Sequence, residues 1–171
     1  MEISFFGSGP VADRCRQVLR NLDIREVSPD KADIWISVHH KEIFKSAPAG
    51  GILNLHNSYL PWGRGAHPCT WAIIDRCPHG ATLHWIDQGV DTGPIFHQEA
   101  LEILPHDTAD SLYKRTADLE VRVFRHGMIA LQSGDRQRVP QQAGGSLHFK
   151  SEFDRLVRAM TTSDCRVVRE A

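Results

Sequence analysis

Asn54-Leu55-His56, with Asp91 further along in Gln88-Gly89-Val90-Asp91-Thr92-Gly93, are the residues of this sequence best suited to chemistry. Residues 51–56 (Gly-Ile-Leu-Asn-Leu-His) predict a short buried strand that runs into a polar loop. Strand side chains alternate between faces, so Asn54 and His56 share one face and Leu55 takes the other. An amide and an imidazole then stand side by side at a strand's C-terminal end, where open α/β sheets bind ligands. Asp91 lies in a glycine-flanked turn that can bring a carboxylate back over the same edge. The three together suit reaction at a carbonyl. They offer a hydrogen bond to its oxygen, a proton carrier near neutrality, and an anion to charge and orient the imidazole.

Taken singly, these residues read differently. Asn54 or His56 alone is a satisfied polar residue at a strand end, and Asp91 alone is a turn residue. His84 alternates with Thr82 and Ile86 and reads as a wall residue; His67 and His97 carry no further signal. Arg64, in the glycine-flanked loop Gly63-Arg64-Gly65, suits an acceptor phosphate or a plain surface position equally. No G-x-S-x-G elbow surrounds Ser58, so it is not a nucleophile.

The elements that must position this group alternate between strand and helix. Residues 2–6 form an apolar run, followed by a helical pattern with Val11, Cys15, Val18 and Leu19 on one face. Residues 24–27 and 33–38 predict short strands, and 41–45 are helix-compatible. Residues 71–75 predict a helical turn and 81–86 a strand. A long helix starts with Asp107 as N-cap, continues through Leu112, Leu119, Val123, Phe124, Met128 and Leu131, and stops at Gly134. Residues 141–150 predict a turn and strand, and the basic last segment (Arg155, Arg158, Arg166, Arg169) a solvated face. Such alternation argues for an α/β fold built on a parallel sheet. Gly7-Ser8-Gly9-Pro10-Val11-Ala12, with Glu26 as a ribose partner, fits a dinucleotide fingerprint only superficially. Pro10 removes an N–H where pyrophosphate would need one, so the segment reads as a tight strand-to-helix turn.

At 171 residues, 41% hydrophobic and 24% charged, the chain has the size and composition of one globular domain. A formal net charge of −1 gives no footprint for nucleic acid or an acidic membrane. No apolar run approaches the ~20 residues of a membrane-spanning helix, and Glu2 stands where a signal peptide carries bases. A cytoplasmic location is therefore expected. Cys15, Cys69, Cys77 and Cys165 form no Cys-x-x-Cys pair and are expected as thiols. Cys69 and Cys77 lie near His67 and His79, but their spacing matches no usual zinc pattern, so no metal is expected.

Residues 54–61 (Asn-Leu-His-Asn-Ser-Tyr-Leu-Pro), Arg64-Gly65 and residues 80–93 (Gly-Ala-Thr-Leu-His-Trp-Ile-Asp-Gln-Gly-Val-Asp-Thr-Gly) together resemble the folate-dependent formyltransferases. That family includes the glycinamide ribonucleotide, methionyl-tRNA and nucleotide-sugar enzymes. The resemblance covers roughly residues 33–134, more weakly the first strand. The tail Ala143-Gly144-Gly145-Ser146-Leu147-His148-Phe149-Lys150 is similar to compact sugar formyltransferases and to the formylation domain of linear gramicidin synthetase.

The resemblance implies a Rossmann-like, mostly parallel sheet with helices on both faces and a shortened N-terminal half. It implies one domain over 1–171, with a core of about 1–134 and an extension of about 135–171. It implies 10-formyltetrahydrofolate as donor, catalytic roles for Asn54, His56 and Asp91, and folate contacts from Lys41, Ile43, Phe44, Ile86, Asp87, Gln88 and Val90. Asn54 would donate to the developing oxyanion, protonated His56 would stabilise it, and Asp91 would receive the amine proton. Two departures stand out: Asn57 replaces the family's usual proline, and only residues 1–53 precede Asn54. The acceptor expected is a small-molecule primary amine, nucleotide-linked. Alternatives are a carrier-bound aminoacyl group, water (formyl-folate hydrolysis), and a silent folate- or nucleotide-binding module. Apolar residues on the long helix or tail leave a homodimer open.

Overall fold

The structure, a computed structural model, describes residues 1–162; Cys165, Arg166 and Arg169 lie outside the described residues. In chain order the elements are β1 (Glu2–Gly7), α1 (Pro10–Asn21), β2 (Arg25–Glu26), β3 (Ile34–Val38), β4 (Ile52–His56) and β5 (Arg64–Gly65). Then come α2 (Pro68–Asp75), β6 (Gly80–Trp85), β7 (Ile95–Ala100), α3 (Ala109–Gln132), β8 (Leu147–His148) and α4 (Lys150–Thr162). Six strands form the main sheet in the order β2-β1-β3-β4-β6-β7. β2, β1, β3 and β4 run parallel, whereas β6 is antiparallel to β4 and to β7. β4, which carries Asn54 and His56, is thus where the parallel half of the sheet ends.

Alternation sorts the side chains as expected. Ile3, Phe5, Ile34, Ile36, Val38, Leu53 and Leu55 face α1 and α3 in one buried cluster, with Phe5 edge-on to Phe124 at 6.3 Å. Burying side chains of this size contributes about 1.5–3 kcal/mol each. The opposite face carries Ser37, Asn54, His56, Thr82 and His84, with Phe6 and Trp35 beside them. The result is the expected α/β, Rossmann-like fold, a mostly parallel six-stranded sheet with helices. α1 and α3 both pack on the apolar face, where their buried side chains join the strand residues in one cluster.

Other expectations shift locally. Residues 41–45 form no helix, and Phe44 instead packs against Phe6, Trp35 and His40. Residues 27–33 and 39–51 contain no helix, as the short N-terminal half implied. The N-cap of α3 is Thr108, not Asp107: Thr108 Oγ1 accepts from the Ser111 N–H at 3.1 Å, and Ser111 Oγ returns the bond to the Thr108 N–H at 3.0 Å. Asp107 accepts from the Leu104 N–H and from Arg115 instead. β7 gave no sequence signal, because a register shift at Leu83/His84 breaks its alternation. The basic last segment, expected as a plain solvated face, forms α4 up to Thr162.

His79, just before β6, sets a pH limit on the fold. It is 2% exposed, and its Nε2–H donates to Thr116 Oγ1 at 2.9 Å, whose hydroxyl donates to the Leu112 carbonyl. Nδ1 is buried without a partner, and burial holds the imidazole down at about 4. The unfolded chain takes up this proton near pH 6.5 and the folded one only near 4. The neutral form's contribution is therefore complete above pH 6.5 and is lost as pH falls towards 4. The loss is expected to reach about 3 kcal/mol. Urea unfolding at pH 7 and pH 4.5 should show a smaller difference for His79→Gln than for the parent. Equal differences would rule out His79 as the cause.

Candidate active site

Asn54 is fixed from both ends of its amide. The Ser37 hydroxyl on β3 donates to Asn54 Oδ1 at 2.8 Å. Asn54 Nδ2 meets His84 Nε2 on β6 at 3.2 Å, and His84 Nδ1–H donates to the Trp85 carbonyl at 3.0 Å. With Nδ1–H committed there, His84 Nε2 accepts from Asn54, and the second amide hydrogen is left for a ligand. His84, expected to be a wall residue, is therefore part of the site. Its signal was hidden because Asn54 and His84 are register partners on strands far apart in sequence.

His56 is buried, and its Nε2–H donates to the Gly63 carbonyl at 2.9 Å. Asp91 Oδ2 lies 3.7 Å from the same nitrogen, and Asp91 Oδ1 lies 3.6 Å from His84 Nε2. The carboxylate thus stands between two imidazoles and also accepts from the Gly65 N–H at 2.9 Å. Burial alone would push the Asp91 carboxyl up; the His56 imidazole and the Gly65 N–H outweigh it and hold the carboxyl well below the usual carboxylate range. The expected trio is brought together. His56 Nδ1 is the ring nitrogen that has no hydrogen-bond partner among the described residues.

The turn that delivers Asp91 is tightly built. Asp91 has φ +51°, a left-handed conformation that aspartate tolerates better than most residues. A Cβ on Gly93 would lie 1.8 Å from the Trp85 carbonyl oxygen, so the loop can approach β6 only with glycine there. From outside, Gln141 Nε2 donates to the carbonyls of Asp91 and Gly93, both at 2.8 Å. Gln141 is a positioning residue with no local sequence signal to single it out.

Two cavities meet at this trio. The larger, about 690 Å³, is lined by His39, His56, Asn57, His67, Cys69 and Tyr113, among others. The smaller, about 410 Å³, is lined by Lys41, Ile43, Phe44, Ile86, Asp87, Gln88 and Val90, every residue expected to contact folate. Asn54 and Asp91 line both, so they stand at the boundary. Arg64 belongs to neither: its guanidinium donates to the Gly144 carbonyl at 2.8 Å, tying β5 to the tail. Asn57, the departure from the family's proline, borders the larger cavity.

Cys15, Cys69 and Cys77 are free thiols, and burial pushes Cys69 up to about 11, so it offers no thiolate to the larger cavity near neutrality. Among the described residues, the side chains near enough to share an ion are His97, Glu99 and His126, not the Cys69–His79 neighbourhood. That group sits apart from both cavities, and Glu99 is already paired with Arg122 at 2.8 Å. Among the described residues no helix is long and apolar enough to cross a membrane.

Comparison with known proteins agrees with this geometry. The profile of the family described as Formyl transferase matches residues 24–127. A dTDP-4-amino-4,6-dideoxyglucose formyltransferase of Mycobacterium bovis is 31% identical over 154 residues, covering 89% of this chain and 64% of that protein. A methionyl-tRNA formyltransferase of Methylacidiphilum infernorum is 35% identical over 123 residues, covering 69% of this chain and 38% of that protein. The chain therefore spans only part of the length of these relatives. Among solved structures, the formyltransferase PseJ of Anoxybacillus kamchatkensis, in complex with UDP-4,6-dideoxy-4-formamido-L-AltNAc and tetrahydrofolate, superposes with a TM-score of 0.81 at 26% identity. That match covers 95% of this chain and 93% of PseJ. With a matching profile across its central strands and site, this chain belongs to the formyl transferase family.

Proposed function

We propose that this chain transfers a formyl group from 10-formyltetrahydrofolate to the primary amine of a nucleotide-linked amino sugar. The observation that carries the proposal is the position of Asn54 and Asp91 at the boundary of two cavities, where a donor and an acceptor can meet. The smaller cavity fits the folate. Ile43 is 92% exposed, and Ile86 and Val90 are also open to solvent, so apolar side chains await a flat apolar partner beside Asp87 and Gln88. The bound donor would supply a formyl carbonyl attached to a nitrogen that can leave.

The chain's own residues then divide the work. Asn54, held by Ser37 and His84, directs its remaining N–H at negative charge developing on the carbonyl oxygen. His56 presents Nδ1 while Nε2–H stays with the Gly63 carbonyl, so the ring's orientation does not change as a proton moves at Nδ1. Asp91 stays ionised at neutral pH and sets its negative charge 3.7 Å from His56 Nε2. Two separate cavities suit an acceptor other than water. The sugar class rests on the names of the mycobacterial relative and of the PseJ complex. We read residues 1–134 as the catalytic part and the rest as an extension of the same domain, acting in a reducing cytoplasm that keeps Cys15, Cys69 and Cys77 as thiols.

The test is mass spectrometry of nucleotide-linked amino sugars, an aminoacyl thioester and methionyl-tRNA, each incubated with the protein and 10-formyltetrahydrofolate. A formyl mass gain on an amino sugar, absent with His56→Ala, is expected. Gain only on methionyl-tRNA or the thioester would overturn the acceptor class. Folate consumption without any gain would replace transfer with hydrolysis.

A further inference from the structure

Glu120, within α3, is a carboxylate with 0% exposure. Its Oε1 accepts from His39 Nε2–H at 2.7 Å, and its Oε2 is buried without a partner. Such a group is costly inside a protein, and a well-packed apolar side chain would serve stability better. His39 carries a second cost. It follows β3 with φ +52°, a left-handed conformation that few non-glycine residues adopt. Where buried charge and backbone strain coincide at a strand's C-terminal end, function is the usual reason.

The His39 ring is 26% exposed and lines the larger cavity, and its Nδ1 has no hydrogen-bond partner among the described residues. We propose that His39, held against Glu120, binds a phosphate oxygen of the acceptor through Nδ1–H in the larger cavity. This rests on the proposed function, in which that cavity receives a nucleotide-linked amine. The hydrogen bond from His39 to Glu120 raises the imidazole's proton affinity, although burial works against it. A charge-assisted donor of fixed orientation results. Lys41 borders the same cavity and adds positive charge, whereas Asp110 and Asp91 mark its acidic parts. Around Glu120 lie groups that are neutral near pH 7, the Cys15 and Cys69 thiols and the Tyr113 phenol, all raised by burial and by Glu120. No other cation is hydrogen-bonded to Glu120 among the described residues. Lys41 is exposed and has no partner among the described residues to fix it, whereas Glu120 holds His39, so His39 is the pre-organised contact.

Calorimetric titration of the full chain with inorganic pyrophosphate, without folate, tests this. The parent is expected to bind at pH 6.5 and to weaken towards pH 8.5. His39→Gln should bind on the order of tenfold more weakly at pH 6.5, with a flatter pH response. Glu120→Gln should move the parent's pH response, and the His39 imidazole titration seen by NMR, to lower pH. No binding by the parent, or equal affinity in parent and His39→Gln with matching melts, overturns the proposal. Orthophosphate bound as well as pyrophosphate would indicate a monophosphate acceptor; preference for pyrophosphate would indicate a diphosphate. Formyl transfer with a His39-independent anion site removes only this inference. A His39-dependent anion site without formyl transfer removes the activity and leaves the site.

Discussion

Asp91→Asn is expected to lower turnover on the order of 10³-fold at every pH from 6 to 9, within the range for loss of a positioned acid–base partner. The substitution is isosteric and leaves an oxygen to accept the Gly65 N–H, so the turn between Gly89 and Gly93 should persist. What disappears is the charge that faces His56 at 3.7 Å and His84 at 3.6 Å. Without it, the proton-bound form of His56 loses its counter-ion in a buried setting, where such pairing counts most. The folded carboxyl titrates below its unfolded value near 3.9, so its ionised form stabilises the protein above pH 4 and that contribution fades as pH falls. Any fall of parent activity between pH 7 and pH 5 must then come from groups other than Asp91. The check is kcat against pH for parent and variant, beside folate binding by fluorescence. Recovery of the variant at high pH, or loss confined to folate affinity, would contradict the assignment.

The division between what was legible in the sequence and what was not follows the range of the interactions. Asn54 and His56 share a face by strand alternation, and Asp91 sits in a glycine-bounded turn, so local rules and the resemblance were enough to gather them. The apolar stripe of α1 and the long pattern of α3 were legible for the same reason, since Val11, Cys15, Val18 and Leu19 recur at helical spacing. His84, Ser37 and Gln141 were missed because their partners lie across the sheet or along the tail. Only the register of β3, β4 and β6 brings Ser37, Asn54 and His84 into line. β7 was missed where a bulge breaks its alternation, and residues 39–50 where the chain follows packing of Phe44 and Trp35 instead of a periodic rule. The Glu120–His39 contact belongs to the same class, since a glutamate in a helix reads as solvated until its helix is laid against a sheet.

Asn54→Ala is the substitution expected to separate binding from chemistry most cleanly. Asn54 Oδ1 is occupied by the Ser37 hydroxyl and one amide hydrogen by His84, so what remains for the reaction is a single N–H with a fixed direction. A donor held in advance is worth far more to a charge that develops during reaction than to the neutral carbonyl it starts from. Removing it should lower kcat on the order of 10²–10³-fold and leave folate affinity within a few-fold of the parent. Ser37→Ala tests the same argument from one step away. It keeps the amide but frees its orientation, so its loss of kcat should be smaller than that of Asn54→Ala. The double variant should be no worse than Asn54→Ala alone, because Ser37 acts only through Asn54. Single-turnover kinetics at saturating folate distinguish the outcomes. Additive losses in the double variant would mean that Ser37 serves the site by another route, and unchanged kcat in Asn54→Ala would remove the amide from the reaction.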